Sequence, residues 1–407
     1  MTRTEHDSHA LLEALFDPAQ RSDPYPAYRA ARESGPLVVP ELNMVMFGRY
    51  ADCEQILRNP GSAVDRRKST LVQRAIADGA DPAVFDTDSF LQLDPPDHTR
   101  LRKLVQKAFS PKRVRDLQDE IATIVDHQLD RVAESGDLVT DLAYPLPVTV
   151  ICRMLGVPVE DEPRFGSASQ LIAQGLDDFV PTPEPADEGQ RQRLDAVRWM
   201  HDYLRELIDQ RRTAPRDDLM SALVAAEESG DHLTEDEIVA TCELLFIAGH
   251  ETTVNLIANA ALAMLTTPGQ WSALARDPGR AGAVVEETLR WDPPVQMLSR
   301  VAEREMTIGD TVVPRGETAV LLLAAAQRDP AEYERADVFD PDRGPTRHLA
   351  FGHGTHFCLG APLARLEATT ALRALTARFP AARLLGEPTY RPNITLRGMS
   401  HLPIAVD

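Results

Sequence analysis

Cysteine is scarce in this chain. Cys53, Cys152, Cys242 and Cys358 are the only four in 407 residues, too scattered for a zinc site and too thin for a small disulfide scaffold, so a reduced, cytoplasmic protein is expected. Basic charge is also short: 43 Lys and Arg against 63 Asp and Glu leave a net charge of −20, which argues against nucleic acid or an anionic membrane as partner. Long apolar runs are missing. The best stretch, Ala240 to Leu265, carries Glu243, His250 and Glu251 and reads as a buried helix rather than a bilayer span. Met1 to Phe16 is polar and mixed in charge, without the apolar core of an export signal, so no membrane anchor is expected. No internal repeat is present.

What is there points to a mainly α protein with small β-sheets. Pro24 to Arg32 reads as helix, and Leu37 to Gly48 as a β-hairpin broken at Glu41-Leu42-Asn43. From Tyr50 onward helical periodicity prevails until a strand-rich patch between Leu298 and Leu323, with turns at Gly309-Asp310 and Pro314-Arg315-Gly316. The proline-rich, acidic segment Val180 to Gly189 reads as an exposed loop.

Two segments carry chemistry. Phe351-Gly352-His353-Gly354-Thr355-His356-Phe357-Cys358-Leu359-Gly360 is a glycine-punctuated loop that delivers Cys358 to the start of a helix expected from about Ala361 to Phe379. That positive end favours a thiolate, the form that ligates metal. Gly354 and Gly360 are expected where a Cβ would obstruct, and Phe351 and Phe357 where they keep water from the sulfur. An inert buried thiol beside a turn is the plain alternative. The second segment is a long helix opened by a capping box at Thr234 and Glu237 and closed before Pro268. Ala248-Gly249-His250-Glu251-Thr252-Thr253 interrupts its apolar surface, and Leu245, Ala248, Gly249 and Thr252 share one stripe. A helix-packing notch is the alternative there. His250 has no second histidine one turn on, and neighbours on a helix diverge, so no role is assigned to it.

The pattern Phe-x-x-Gly-x-x-x-Cys-x-Gly at Phe351, Gly354, Cys358 and Gly360 resembles the haem-binding loop of the cytochrome P-450 superfamily of haem-thiolate monooxygenases. The resemblance spans nearly the whole chain and looks most like the soluble bacterial members. It implies one domain over residues 1–407 with the cytochrome P-450 fold: β-rich portions at about 37–50 and 298–323, a long central helix at about 234–267, and a haem held by the loop 351–360. It implies haem b with Cys358 as the axial ligand to iron, Phe351, Gly354, Gly360, Ala248 and Gly249 around it, and His98, Arg102, Arg300 and His356 on the propionates. Glu251 and Thr252 match the acid and alcohol that deliver protons to dioxygen. Glu287 and Arg290 match a Glu-x-x-Arg motif that Arg343 joins, although an ordinary surface pair at i, i+3 would look the same. Substrate contacts are expected from Leu245, Ala248, Val295, Gln296, Met297 and Thr395, and from the loop between Asp65 and Leu93, with ordinary packing as the rival reading.

The implied reaction is hydroxylation or epoxidation of a largely apolar small molecule, with macrolides, terpenoids, steroids and fatty acids all open. Phenol coupling, peroxide-driven oxidation or a non-catalytic haem-binding sensor are the competing readings. The chain has no dinucleotide fingerprint and no cysteine-rich iron–sulfur segment, so electrons from NAD(P)H are expected through a separate ferredoxin reductase and ferredoxin. Arg100, Arg102, Lys103, Lys107, Lys112, Arg113 and Arg115 fall in a stretch without an acid, either a ferredoxin-steering surface or a plain basic helix face. By the same resemblance Val180 to Gly189 is a lid over substrate access, or else a solvated linker.

Overall fold

The computed structural model describes residues 3–82, 85, 89–177, 188–228 and 233–406. Helices dominate; among the described residues four short strands near the C-terminus pair as Arg383–Leu384 with Ile404–Ala405 and Thr389–Tyr390 with Met399–His401, and seven lie earlier in the chain. These are β1 (Leu37–Val39), β2 (Met44–Phe47), β3 (Ser62–Ala63), β4 (Leu298–Ala302), β5 (Met306–Ile308), β6 (Thr311–Val313) and β7 (Thr318–Leu321). The largest sheet runs β1-β2-β7-β4-β3, and β5 pairs with β6 as a separate hairpin. The hairpin expected from Leu37 turns through Pro40–Leu42 and Asn43, whose φ of 46° is one that asparagine tolerates.

β2 and β7 pair in parallel, Met44 opposite Thr318. They are apolar at nearly every position because both faces are covered. Val45, Phe47, Ala319 and Leu321 pack with Cys53 and Ile56, while Met44, Met46, Val320 and Leu322 pack with Leu15, Tyr28 and Ala31. Leu15 belongs to an N-terminal helix, Arg3–Phe16, whose sequence was read above only for its lack of an export signal.

The central helix, Glu235–Thr266, opens with the expected capping box: Glu237 N–H donates to Thr234 Oγ1 at 3.2 Å, and Thr234 N–H to Glu237 Oε2 at 2.9 Å. From Val254 to Ala261 every residue is buried, as a helix packed on all sides requires. It lies against the helices Pro145–Leu155, Glu162–Gln174, Ala281–Trp291 and Ala361–Arg378. Val180 to Gly189 lies outside the described residues up to position 187, and helix Glu188–Thr213 follows. Among the described residues no helix is long and apolar enough to cross a membrane.

Helix Ala281–Trp291 places Glu287 and Arg290 one turn apart and almost free of solvent. Arg290 Nη2 and Nε donate to the carboxylate at 2.7 and 2.8 Å, Arg343 Nε at 3.0 Å, and the Asp340 N–H at 2.8 Å. Arg290 also donates to the carbonyls of Gln327, Ala336 and Val338. Gln327 extends the cluster by accepting the Leu349 N–H at 2.9 Å, two residues before Phe351. Glu287→Ala would leave two guanidinium groups buried without their anion. A loss of about 3–5 kcal/mol is expected, read as a lower urea midpoint with haem content falling alongside. A wild-type midpoint would remove the anchoring role.

Candidate active site

Cys358 lies just ahead of helix Ala361–Arg378, and its N–H donates to the Phe351 carbonyl at 2.9 Å, closing the loop. Gly352 and Gly354 take φ of 68° and 71°, a region that side chains disfavour. At Gly360 the expectation is corrected: its φ is −80° and a Cβ would meet no protein atom within 4 Å. The demand for glycine falls on Gly352 instead. Burial pushes the Cys358 thiol up, while the N–H groups of Gly360 and Ala361 and the Arg102 guanidinium pull it down. Burial prevails and the net shift is upward, so these donors favour a sulfur anion only where a metal takes the proton's place. Shielding from water falls to Phe351, half-buried beneath the Arg365 guanidinium at 4.5 Å, because Phe357 is 43% exposed.

The loop is tied from outside. Glu286 accepts from Arg365 Nη2 at 3.0 Å and lies 3.1 Å from His348 Nε2, joining helix Ala281–Trp291 to both flanks of the cysteine loop. Burial pushes this carboxyl up, but His348 and Arg365 outweigh it and hold it at about 2. The sign follows: the tie is fully present above the ordinary carboxyl value near 4.5 and is lost as pH falls toward about 2. Haem release on acidification between those values should become less steep in Glu286→Gln, and equal release curves would count against the tie.

His98, Arg102, Arg300 and His356 converge. The His98 and His356 rings stand 4.1 Å apart, and both nitrogens of His98 and Nε2 of His356 are buried without a partner. Arg102 donates to the Phe357 carbonyl beside Cys358. Burial, then His98 and Arg300, push His356 down to about 3, and burial pushes Arg300 down to about 10 against Asp94. Asp94 itself is engaged by the Val64 N–H at 3.0 Å and Lys68 Nζ at 3.0 Å. Two neutral imidazoles with idle nitrogens and two guanidiniums beside a cysteine match a ligand with paired carboxylates, so the residues present fit haem.

On the central helix, Leu245 is buried and Ala248 exposed. Thr252 Oγ1 donates to the Ala248 carbonyl at 2.8 Å, and Thr253 Oγ1 to the Gly249 carbonyl at 3.1 Å. A Cβ at Gly249 would touch only Ile151 at 3.6 Å, so packing on that side does not demand glycine. Glu251 is buried, bonded through one oxygen to Arg391, with His250 Nε2 3.2 Å from the other. Burial pushes its carboxyl up, but His250 and Arg391 prevail and hold it below the ordinary value. A cavity of about 550 Å³ reaches Glu251, lined in part by Tyr144, Asn255, Arg391 and His401. Sequence reading missed Arg391, 140 positions away, and dismissed His250, whose side chain meets that of its neighbour after all. Only the excess of cations near position 391 could have hinted at the first.

The substrate contacts divide. Val295 is half-buried and bridged to Leu396, and the Thr395 N–H donates to Asp177 at 2.7 Å. Met297 is corrected: it is 1% exposed, packed with Leu15, Met46 and Val320 behind the sheet. Gln296 is corrected too, since its amide donates to the Pro293 carbonyl at 2.6 Å and its backbone bonds Thr395 and Ala324. Both hold the wall rather than form its surface. Of the loop between Asp65 and Leu93, residues 83–84 and 86–88 lie outside those described.

A cysteine at a helix start, two imidazoles with idle nitrogens beside two guanidiniums, and a buried acid beside a threonine on a crossing helix suit a haem-thiolate oxygenase. The chain belongs to the cytochrome P450 family, whose model matches residues 37–276 and 281–386; it is a monooxygenase whose cofactor is haem with a cysteine thiolate ligand. The ligand-free crystal structure of Mycobacterium smegmatis CYP164A2 superposes with a TM-score of 0.92 at 60% identity, covering 98% of this chain and 100% of that one. Cytochrome P450 107B1 of Saccharopolyspora erythraea is 40% identical, covering 96% of each chain. The vitamin D(3) 25-hydroxylase of Pseudonocardia autotrophica is 39% identical, covering 100% of this chain and 98% of that one.

Cys358→Ser should abolish the thiolate-type Soret band of the reduced carbon monoxide complex. Retention of that band would remove Cys358 as ligand.

Proposed function

We propose that this P450 is a cytoplasmic, ferredoxin-dependent enzyme that hydroxylates or epoxidises a largely apolar small molecule, with Glu251 and Thr252 delivering protons. The buried Glu251 next to Thr252, reached by a cavity that Arg391 and His401 also line, carries this reading. Haem bound by Cys358 supplies the reductive activation of dioxygen and the transfer of one oxygen atom to substrate, the other leaving as water.

The chain's own residues do the rest. Cys358 donates electron density from a sulfur fixed by its loop, and Arg102 holds that loop through the Phe357 carbonyl. His98, His356, Arg102 and Arg300 would hold the propionates, the imidazoles as neutral donors. Glu251 can take a proton from the cavity side and pass it toward the helix face where Thr252 sits. Thr252, whose hydroxyl rests on the Ala248 carbonyl, can turn to receive it. Thr252→Ala should keep the thiolate band but divert reducing equivalents to hydrogen peroxide; unchanged peroxide per NADPH would remove the relay.

Ferredoxin is supported by the basic surface beside the loop. Lys103, Lys107, Lys112, Arg113 and Arg115 are exposed on the stretch that follows Arg102, whose guanidinium reaches the Phe357 carbonyl, although Arg113 also lies 3.6 Å from Asp217. Arg100 is not part of it, because its guanidinium is paired with Glu237 of the capping box. Replacing Lys103, Lys107 and Arg113 together by Glu should raise the ferredoxin KM and flatten its dependence on salt, leaving the carbon monoxide spectrum alone. Salt-independent reduction of the wild type would argue against steering.

For substrate, the full-length likeness to a vitamin D(3) 25-hydroxylase brings sterol-like molecules forward. Titration of the ferric protein with vitamin D3, testosterone and myristic acid, read as a low-to-high-spin shift, tests this. A shift with the first two and none with the acid is expected, and the reverse would redirect the assignment to fatty acids.

A further inference from the structure

His250 is wholly buried on the central helix and meets three polar groups. Nδ1 lies 3.1 Å from the Phe246 carbonyl one turn back and 3.1 Å from the Ser169 hydroxyl on helix Glu162–Gln174. Nε2 lies 3.2 Å from Glu251 Oε1; the approach lacks the alignment of a full hydrogen bond, yet neither atom has another polar partner. A carbonyl can only accept, so its approach to Nδ1 calls for a hydrogen there. Neutral imidazole has one hydrogen. With Nδ1 occupied, Nε2 presents a lone pair to a carboxylate oxygen, and two buried acceptors face each other at contact distance. One proton between them removes that conflict.

We propose that His250 and Glu251 hold one proton in common, stored against Glu251 and drawn on when that acid delivers. The inference rests on the reading of Glu251 as the proton-delivering acid. When Glu251 gives its proton toward Thr252, Nε2 and Oε1 are left as facing lone pairs, and the pair takes up the next proton from the cavity. That proton enters at Oε1 or Nε2, and no electron moves. In the arrangement seen, Arg391 holds the other carboxylate oxygen, which keeps Oε1 facing the histidine between deliveries. The remaining neighbours are the Tyr144 ring, edge-on at 5.8 Å, and the Phe246 ring at 5.4 Å. His250 is thus a positioning residue for Glu251's proton.

The rival arrangement has Ser169 donating to Nδ1, with a neutral ring carrying its hydrogen on Nε2. Nitrogen NMR of [15N]histidine-labelled protein in the diamagnetic, reduced carbon monoxide form separates the two, with His250→Phe assigning the signals. In the wild type Nδ1 should carry hydrogen at pH 7, with Nε2 wholly or partly protonated. Glu251→Gln should strip Nε2 of its hydrogen, because the neutral amide no longer shares a proton with it. Ser169→Ala should leave Nδ1 protonated, because the Phe246 carbonyl remains. A bare Nδ1 at pH 7, a hydrogen that moves to Nδ1 in Ser169→Ala, or indifference to Glu251→Gln would each overturn the shared proton. Ser169→Ala decides the matter if Glu251→Gln fails to load haem. Absence of a thiolate band in the wild type would instead overturn the monooxygenase chemistry, a result separate from the His250 signals.

Discussion

The buried carboxylate of Glu287 organises the rest of the molecule. A carboxylate out of water is costly unless its oxygens are fully engaged, and this one receives Arg290, Arg343 and the Asp340 N–H. Arg290 comes from the same helix, while Asp340 and Arg343 come together from one segment more than fifty residues beyond Glu287. Arg290 in turn captures three carbonyls from the segment between Gln327 and Val338. That irregular stretch has little periodic structure of its own, so the ion cluster gives its backbone groups partners. Through Gln327 the same cluster fixes Leu349, and the cysteine loop begins two residues later. The position of the sulfur is therefore inherited from an ion cluster that never touches it.

Two acids adjacent in sequence, Glu286 and Glu287, divide the labour on one helix. Glu287 faces inward and joins the segment leading to the loop, while Glu286 faces His348 and Arg365 and ties down the loop's two flanks. Adjacent helix positions point about a quarter turn apart, which is how one helix serves both anchors. The central helix uses the same geometry at 251 and 252. Glu251 turns toward Arg391 and the cavity, while the Thr252 hydroxyl rests on the Ala248 carbonyl. The acid and the alcohol are thereby held by different partners from adjacent positions of one backbone.

Much of this was legible in the residues. The capping box at Thr234 and Glu237, the hairpin at Leu37 and the cysteine at a helix start depend on interactions within a few positions, and local rules describe those well. The convergence of His98, Arg102, Arg300 and His356 was legible only through family likeness, since nothing local links positions so far apart. Other readings failed. Gln296 and Met297 were expected at the pocket by the resemblance, but Met297 packs with Leu15 and Val320 behind the sheet and the Gln296 amide bonds the Pro293 carbonyl. Arg100 was counted as surface charge, but Glu237 had a second carboxylate oxygen to fill. Arg391 was missed because its partner lies in a distant helix. The last two are long-range pairings that sequence spacing does not encode.

The parallel pairing of β2 with β7 has a consequence for how the chain is made. β2 emerges early from synthesis, and its partner emerges only after most of the helical body. Until then the apolar run Met44–Phe47 has its β1 neighbour on one edge and nothing on the other, an exposed template for joining another chain. Closing so long a loop is slow in any fold. The nascent protein thus passes through a stage in which this apolar strand waits for the C-terminal third, a stage on which translation pace and chaperone cover bear.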